Sequence, residues 1–240
     1  MKFDVYEFSN KGGRDHNEDA VGHSINGDSG IFVVADGLGG HSYGELASAC
    51  VRDTLLQEWK PDAPDRASWL LDQISKANER ILVIQSERET VLKSTAVVLA
   101  IDGNRVTWAH TGDSRLYYVH NGWIEKITDD HSVAFKKYKA GEISREEIAT
   151  DEDQSSLLRA LGGKERFEPE VYVSDIPLEA GDGFMLCSDG VWEYLKDGEV
   201  AIDMLKAEDA KQWGEFLLLR MMDRITSGND NLTLLTLMIK

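Results

Sequence analysis

Carboxylates stand where apolar runs stop. Asp36 follows Ile31–Ala35 in "IFVVADGLGGH", and Asp189 follows Phe184–Ser188 in "GFMLCSDG". Asp230 immediately precedes Asn231 and the run Leu232–Ile239. Asp113 sits between two strand-like stretches in "HTGDSRLYYV", and Glu18 and Asp19 come just before another in "RDHNEDAVG". Each acid alone has an ordinary explanation, because Asp-Gly favours turns and Asp caps helices. As a set they say more. If these strand ends converge, several carboxylates share one pocket, which raises their pKa values and costs stability unless something compensates. Hard divalent cations compensate, since Mg2+ and Mn2+ prefer oxygen ligands and partly hydrated octahedral shells. Gly37, Gly39 and Gly40 would then let the backbone approach closely enough for a main-chain carbonyl to join the carboxylates.

Other chemistries are not supported. A dinucleotide-type glycine motif fails because Ser42 stands where the third glycine belongs. "GGKE" lacks the rest of a phosphate loop, and His-Glu-x-x-His and Gly-x-Ser-x-Gly are both missing. Six positions after Cys50 and Cys187 stand Leu56 and Glu193, not the arginine of a cysteinyl-phosphatase loop. No covalent nucleophile is indicated, so a metal-activated water is the natural attacking group.

The elements that must position these acids are mostly strands. Alternating or continuous apolar runs predict strands at Phe3–Phe8, Val21–Ile25, Ile31–Ala35, Ser94–Ile101 and Arg105–His110. Further strands are expected at Arg115–His120, Trp123–Ile127, Val171–Val173, Phe184–Cys187 and Leu232–Ile239. "DGN" at 102–104 and Asn121-Gly122 mark hairpins. Helical stripes run from Leu46 to Trp59, from Leu70 to Ile84 and from Trp213 to Met221. Helices fall between groups of strands rather than after each strand, which favours an α+β fold with layered antiparallel sheets. Residues 129–163 are highly charged and weakly apolar and read as a mobile surface insertion, with a short helix starting near Ser144 and Glu147.

The chain has 240 residues, four prolines and no linker-like composition, so a single domain over 1–240 is expected. Its formal charge of −17 repels phosphate backbones and anionic lipid, so neither nucleic acid nor membrane is expected as a partner. Two distant cysteines in apolar surroundings read as buried thiols of a reducing compartment. The charged start "MKFDVYEF" does not look like a signal peptide, and no apolar stretch reaches the ~18 residues of a membrane span. A cytoplasmic location is the resulting expectation.

The segments "GRDHNEDA", "FVVADGLGGH", "STAVVLAI", "HTGDSRLYYV", "ITDDHS", "LCSDGVWE" and "NDNLTLLTL" resemble, in order and spacing, the metal-dependent type 2C Ser/Thr protein phosphatases, in their bacterial version. The resemblance spans residues 13–239. It implies a four-layer α-β-β-α sandwich of two antiparallel sheets flanked by helices, with 129–163 as a flap. It implies two Mn2+ or Mg2+ ions, with Asp36 bridging them, Glu18 and the Gly37 carbonyl on one, and Asp189 and Asp230 on the other. Asp113 matches the site of a third, weaker ion. Asp19 is implied to orient a metal water, and Arg14 to bind substrate phosphate through its planar fork. His41 is a candidate acid for the departing serine or threonine oxygen, or a support for its loop, because the eukaryotic branch has its acidic histidine directly after Asp-Gly. The implied partners are phosphorylated proteins and a Ser/Thr kinase acting on the same substrates, and the chain is expected to be a monomer.

Two positions depart from the family pattern. Glu193 stands where Asp is common, which bears on the third ion, and Leu38 replaces a frequent methionine of similar volume. Two other functions fit the same motifs. A catalytically silent phosphoprotein-binding module should have lost metal acids, and none is missing here. A phosphatase dedicated to one regulatory partner is compatible with the divergent stretch 144–157.

Overall fold

In the run Ile31–Ala35 every side chain is buried, although neighbours on a strand point to opposite faces. Phe32 and Val34 pack with Val97, Leu99 and Leu235, whereas Ile31, Val33 and Ala35 pack with Ala47, Val51 and Leu70. A strand can be apolar on both faces only if both are covered, and the rest of the molecule supplies the two covers. The computed structural model describes residues 1–39, 43–61, 63–163 and 167–240.

One sheet has the order β1 (Phe3–Asn10), β11 (Leu232–Ile239), β10 (Gly183–Cys187), β7 (Arg115–His120) and β8 (Trp123–Ile127). The other has β2 (Asp19–Asn26), β3 (Ser29–Gly39), β5 (Ala96–Asp102), β6 (Arg105–Thr111) and β9 (Glu170–Val173), with the short β4 (Leu92–Ser94) on the end of β3. Every pairing is antiparallel. The sheets face each other across a core that includes Phe32, Trp108, Tyr118, Phe184 and Leu237. Helices α1 (Gly44–Gln57) and α2 (Arg66–Arg88) cover the outer face of the second sheet. Helices α5 (Asp197–Lys206) and α6 (Ala210–Met222), with α3 (Val133–Ala140), cover the first. This is the α-β-β-α sandwich the sequence implied.

Turn chemistry sets the hairpins. Asn121 and Gly122 both have positive φ, 50° and 80°, the mirror-image turn whose twist matches the flanking strands. It closes His120 directly against Trp123.

Three local differences from the sequence reading have physical causes. The expected strand Ser94–Ile101 is broken at Thr95, whose amide donates to the Asp36 carbonyl (2.8 Å) instead of continuing one ladder. Residues 129–163 are not simply a polar surface loop. Ser132 caps α3 by accepting from the Phe135 amide (3.2 Å), and Ala134, Phe135 and Ile148 are buried against the outer core. The Ser144 amide does donate to Glu147 Oε2 (2.7 Å), but this half of a capping box opens a five-residue 3-10 turn, Glu146–Thr150, rather than an α-helix. Helix α5 also went unanticipated, because its buried Asp203 interrupts the apolar stripe; Arg220 of α6 donates to that carboxylate (Nη2, 2.8 Å).

Candidate active site

A cleft of about 430 Å³ opens at one end of the sandwich. Glu18, Asp36, Gly37, Asp113, Asp189 and Asp230 all line it, with Arg14 at the rim. Acids separated by more than two hundred positions thus share one cavity. They arrive on different elements: Glu18 just before β2, Asp36 within β3, Asp113 between β6 and β7, Asp189 opening the short helix α4 (Asp189–Trp192), and Asp230 before β11. Asp19 pairs directly with Asp36 across β2 and β3, so the two side chains share a face.

Gly37 and Gly39 also have a packing reason. A Cβ on Gly37 would lie 2.1 Å from the Gly44 carbonyl oxygen, and one on Gly39 would lie 2.8 Å from the Gly44 amide. They let β3 run against the first turn of α1. That contact also fixes Glu18, whose Oε1 accepts from the Gly44 amide (3.0 Å) at the positive end of the helix and whose carbonyl accepts from the Gly37 amide (3.1 Å).

Three residues that hold the acids were not singled out by sequence. Thr95 Oγ1 accepts from the Asp36 amide (2.9 Å) and bonds Ser114 Oγ (2.7 Å), tying Asp36 to the neighbour of Asp113. Asn231 Oδ1 accepts from the Glu18 amide (2.7 Å), while its Nδ2 donates to the Lys11 and His16 carbonyls (2.9 Å each), pinning the loop that carries Arg14. Ser188 Oγ donates to Asp19 Oδ2 (2.8 Å). Ser188 and Asn231 stand beside an acid in sequence, whereas Thr95 stands beside none and is brought to Asp36 only by the fold. Exposed His16 also lines the cleft.

The electrostatics are those of an uncompensated acid cluster. Burial, then the charges of Asp19, Asp189, Asp113 and Asp230, push Asp36 well above the usual carboxylate range. Burial and Asp189 do the same to Asp113, and burial and Asp230 raise Asp189. Asp19 is pushed up to about 7, chiefly by burial, and its Oδ1 is buried with no hydrogen-bond partner. Glu193, held by the Gln154 side chain, rises to about 8 through burial and the charge of Asp189. Among the described residues lining the cleft, only Arg14 brings a fixed positive charge; its Nη2 donates to Asp230 Oδ2 (2.7 Å). Raised carboxylates and an orphaned buried oxygen fit a site built for divalent cations.

No three of the cleft carboxylates bring ligand atoms within 4.8 Å of one another; among the described residues that is found for His110, His131 and Glu170. The wider spacing suits ions that keep several waters. The histidine group is poorly suited to a cation, because His131 Nδ1 already accepts from the Gly112 amide (3.2 Å). In that neutral tautomer Nε2 keeps its proton, facing Glu170 Oε1 at 3.2 Å. Arg159 Nη1 lies beside both groups, 2.8 Å from Glu170 Oε1.

His41 lies outside the described residues, as does Gly40. Cys50 is half-buried and Cys187 buried, both as free thiols.

The protein phosphatase 2C family model matches residues 9–227. The chain belongs to the protein phosphatase 2C family. This phosphatase is 33% identical over 230 residues to the serine/threonine phosphatase stp of Listeria welshimeri, a match covering 92% of this chain and 90% of that one. The S. agalactiae serine/threonine phosphatase superposes on it with a TM-score of 0.87 at 26% identity, covering 100% of both chains. The catalytic domain of the serine/threonine protein phosphatase PstP, solved in complex with two manganese ions, gives a TM-score of 0.84 at 26% identity and 99% coverage of each chain. The chain is accordingly a phosphoprotein phosphatase, of a family that works with Mn2+ or Mg2+. No helix among its described residues is long and apolar enough to cross a membrane.

Proposed function

We propose that this phosphatase hydrolyses phosphoserine and phosphothreonine in proteins, using two Mn2+ or Mg2+ ions held in the acidic cleft. The observation that carries the reading is the gathering of Glu18, Asp36, Asp189 and Asp230 in one cavity beside Arg14. Asp36 would be the shared ligand, Glu18 and the Gly37 carbonyl would hold one ion, and Asp189 and Asp230 the other. Asp113 is the candidate for a third, weaker ion. When bound, such ions polarise phosphoryl oxygens and make water nucleophilic near neutral pH.

The protein's own groups do the rest. Arg14 is more than half exposed, so its guanidinium can turn from Asp230 to two oxygens of an arriving phosphate. Asp19, anchored through Oδ2 by Ser188 and paired with Asp36 across the two strands, is the candidate to orient a water next to the acids. Asn231 and Thr95 hold the acid-bearing segments to each other.

In this reading residues 1–240 form one catalytic domain, with 129–163 as a flap whose Ser155 and Leu157 reach the cleft. The enzyme opposes a Ser/Thr kinase and acts as a monomer in the cytoplasm. The two free thiols support a reducing compartment. The test is release of phosphate from a phosphothreonine peptide with Mn2+ and with excess chelator. Rapid release with Mn2+ and near-complete loss with chelator are expected; equal rates would overturn the metal mechanism.

A further inference from the structure

A second cavity, of about 470 Å³, lies beside the catalytic cleft between the 3-10 turn Glu146–Thr150 and the segment that follows α4. Glu193 forms part of its wall, and Gln154, the neighbour of cleft-lining Ser155, donates to Glu193. The two cavities are thus separated by roughly one layer of side chains. In a chain of formal charge −17, this cavity is lined by four basic residues, Arg115, Arg145, Lys196 and Arg224, against three acidic ones, Glu146, Glu193 and Asp197.

Two of the four cations are already engaged. Arg115 makes a bidentate pair with Asp130 (2.8 and 2.6 Å), and Arg224 pairs with Glu199 (2.6 and 2.7 Å). Of the other two, Arg145 is engaged only in part and Lys196 not at all among the described residues. Arg145 uses Nε on Asp197, but its Nη2 is buried with no hydrogen-bond partner. An orphaned guanidinium nitrogen is costly and marks a missing acceptor. Lys196 is exposed, and its ammonium has no ion-pair partner among the described residues.

We infer that this cavity is an acidic-residue subsite, in which Arg145 and Lys196 receive the carboxylate of a substrate residue close in sequence to the phosphorylated one. The inference rests on the phosphatase reading. An extended chain advances about 3.3 Å per residue, so a chain whose phosphate occupies the cleft can cross the Gln154 and Glu193 wall within a few residues. The planar fork of Arg145, preset by Asp197, suits a carboxylate, and Lys196 adds a flexible second charge at the mouth. Because both pairs are partly solvated, the subsite acts as a selectivity filter of modest strength.

The test is a phosphothreonine peptide series in which one neutral Gln is replaced by Glu at successive positions within four residues on either side. One position should raise kcat/KM about five- to tenfold, mainly through KM, with the effect shrinking at high salt. In Arg145→Gln and in Lys196→Gln the ratio between that peptide and its neutral parent should collapse toward one. If removing the Asp197 partner unfolds Arg145→Gln, exposed Lys196→Gln carries the test alone, with circular dichroism checking both. A flat series, or a preference that survives in both variants, overturns the subsite while leaving the phosphatase reading intact. Failure of the wild type to release phosphate from any peptide would instead sink the phosphatase reading.

Discussion

Gly37 and Gly44 meet backbone to backbone. A Cβ on the first would lie 2.1 Å from the carbonyl oxygen of the second, and a Cβ on the second 2.6 Å from the carbonyl oxygen of the first. No rotamer relieves a clash with main chain. Gly37→Ala should therefore push β3 off α1 and displace Glu18 and the Gly37 carbonyl together. We expect a destabilisation of about 3 kcal/mol or more, with Mn2+-dependent activity lost, checked by denaturant melts and phosphate release.

Asp36→Asn removes the acid at the centre of the cluster. Activity should fall by more than about 100-fold, at or beyond the upper end of what loss of a residue supporting a metal ligand costs. The metal-free variant should be more stable than metal-free wild type, because burial and four neighbouring carboxylates hold Asp36 well above its ordinary range. For a chain of this size Tm rises about 2–4 °C per kcal/mol of relieved repulsion. Added Mn2+ should raise the Tm of wild type but not of the variant. A metal-free variant that melts lower would contradict the electrostatic account.

Arg14→Ala should raise KM for phosphopeptides. A charge-assisted contact to phosphate contributes about 1.5–3 kcal/mol, so kcat/KM should drop by roughly 10- to 150-fold. Steady-state kinetics at fixed Mn2+ check this; an unchanged KM would remove Arg14 from phosphate binding.

Asn231→Ala removes the acceptor of the Glu18 amide and the side-chain donor to the Lys11 and His16 carbonyls. The loss should be about 1–3 kcal/mol of stability, with weaker Mn2+ affinity, because Glu18 and Arg14 are tied through this one side chain. Calorimetric Mn2+ titration measures the second effect, and undiminished affinity would exclude it.

His131 should make the fold acid-sensitive. Burial first, then the charge of stacked His110, lower its pKa to about 4. Unfolded, it takes up its proton near 6.5. Between those values the unfolded chain binds more protons, so stability falls as pH drops from about 6.5 toward 4. Buried His110 is lowered too and acts in the same direction. With Mn2+ present to keep the cleft acids ionised, Tm should decline between pH 7 and pH 5. His131→Asn, which retains an acceptor for the Gly112 amide, should flatten that decline, and an equal slope in both proteins would refute the assignment.

Strand existence and hairpin turns were legible in sequence because they are local. Trp123–Ile127 and Arg115–His120 are bounded by a turn that Asn121-Gly122 encodes. The acids were legible because each interrupts an apolar run. What holds them was not. Thr95 reaches Asp36 and Ser114, and Asn231 reaches Lys11, His16 and Glu18, through contacts made only by the folded chain. Helix α3 escaped notice because only Ala134 and Phe135 of its eight residues are buried, too few for a stripe. The contact of Arg14 with Asp230, 216 positions away, is likewise made only by the folded chain.

The pairing of Asp19 with Asp36 ties ancestry to chemistry. In a ladder of period two, deleting one residue within either strand would swing one carboxylate onto the helix-covered side and leave the other alone. Length variation in this lineage is therefore expected to collect in the turns and in segments beyond the strand ends, such as 144–157, while Asp19 and Asp36 stay opposite each other.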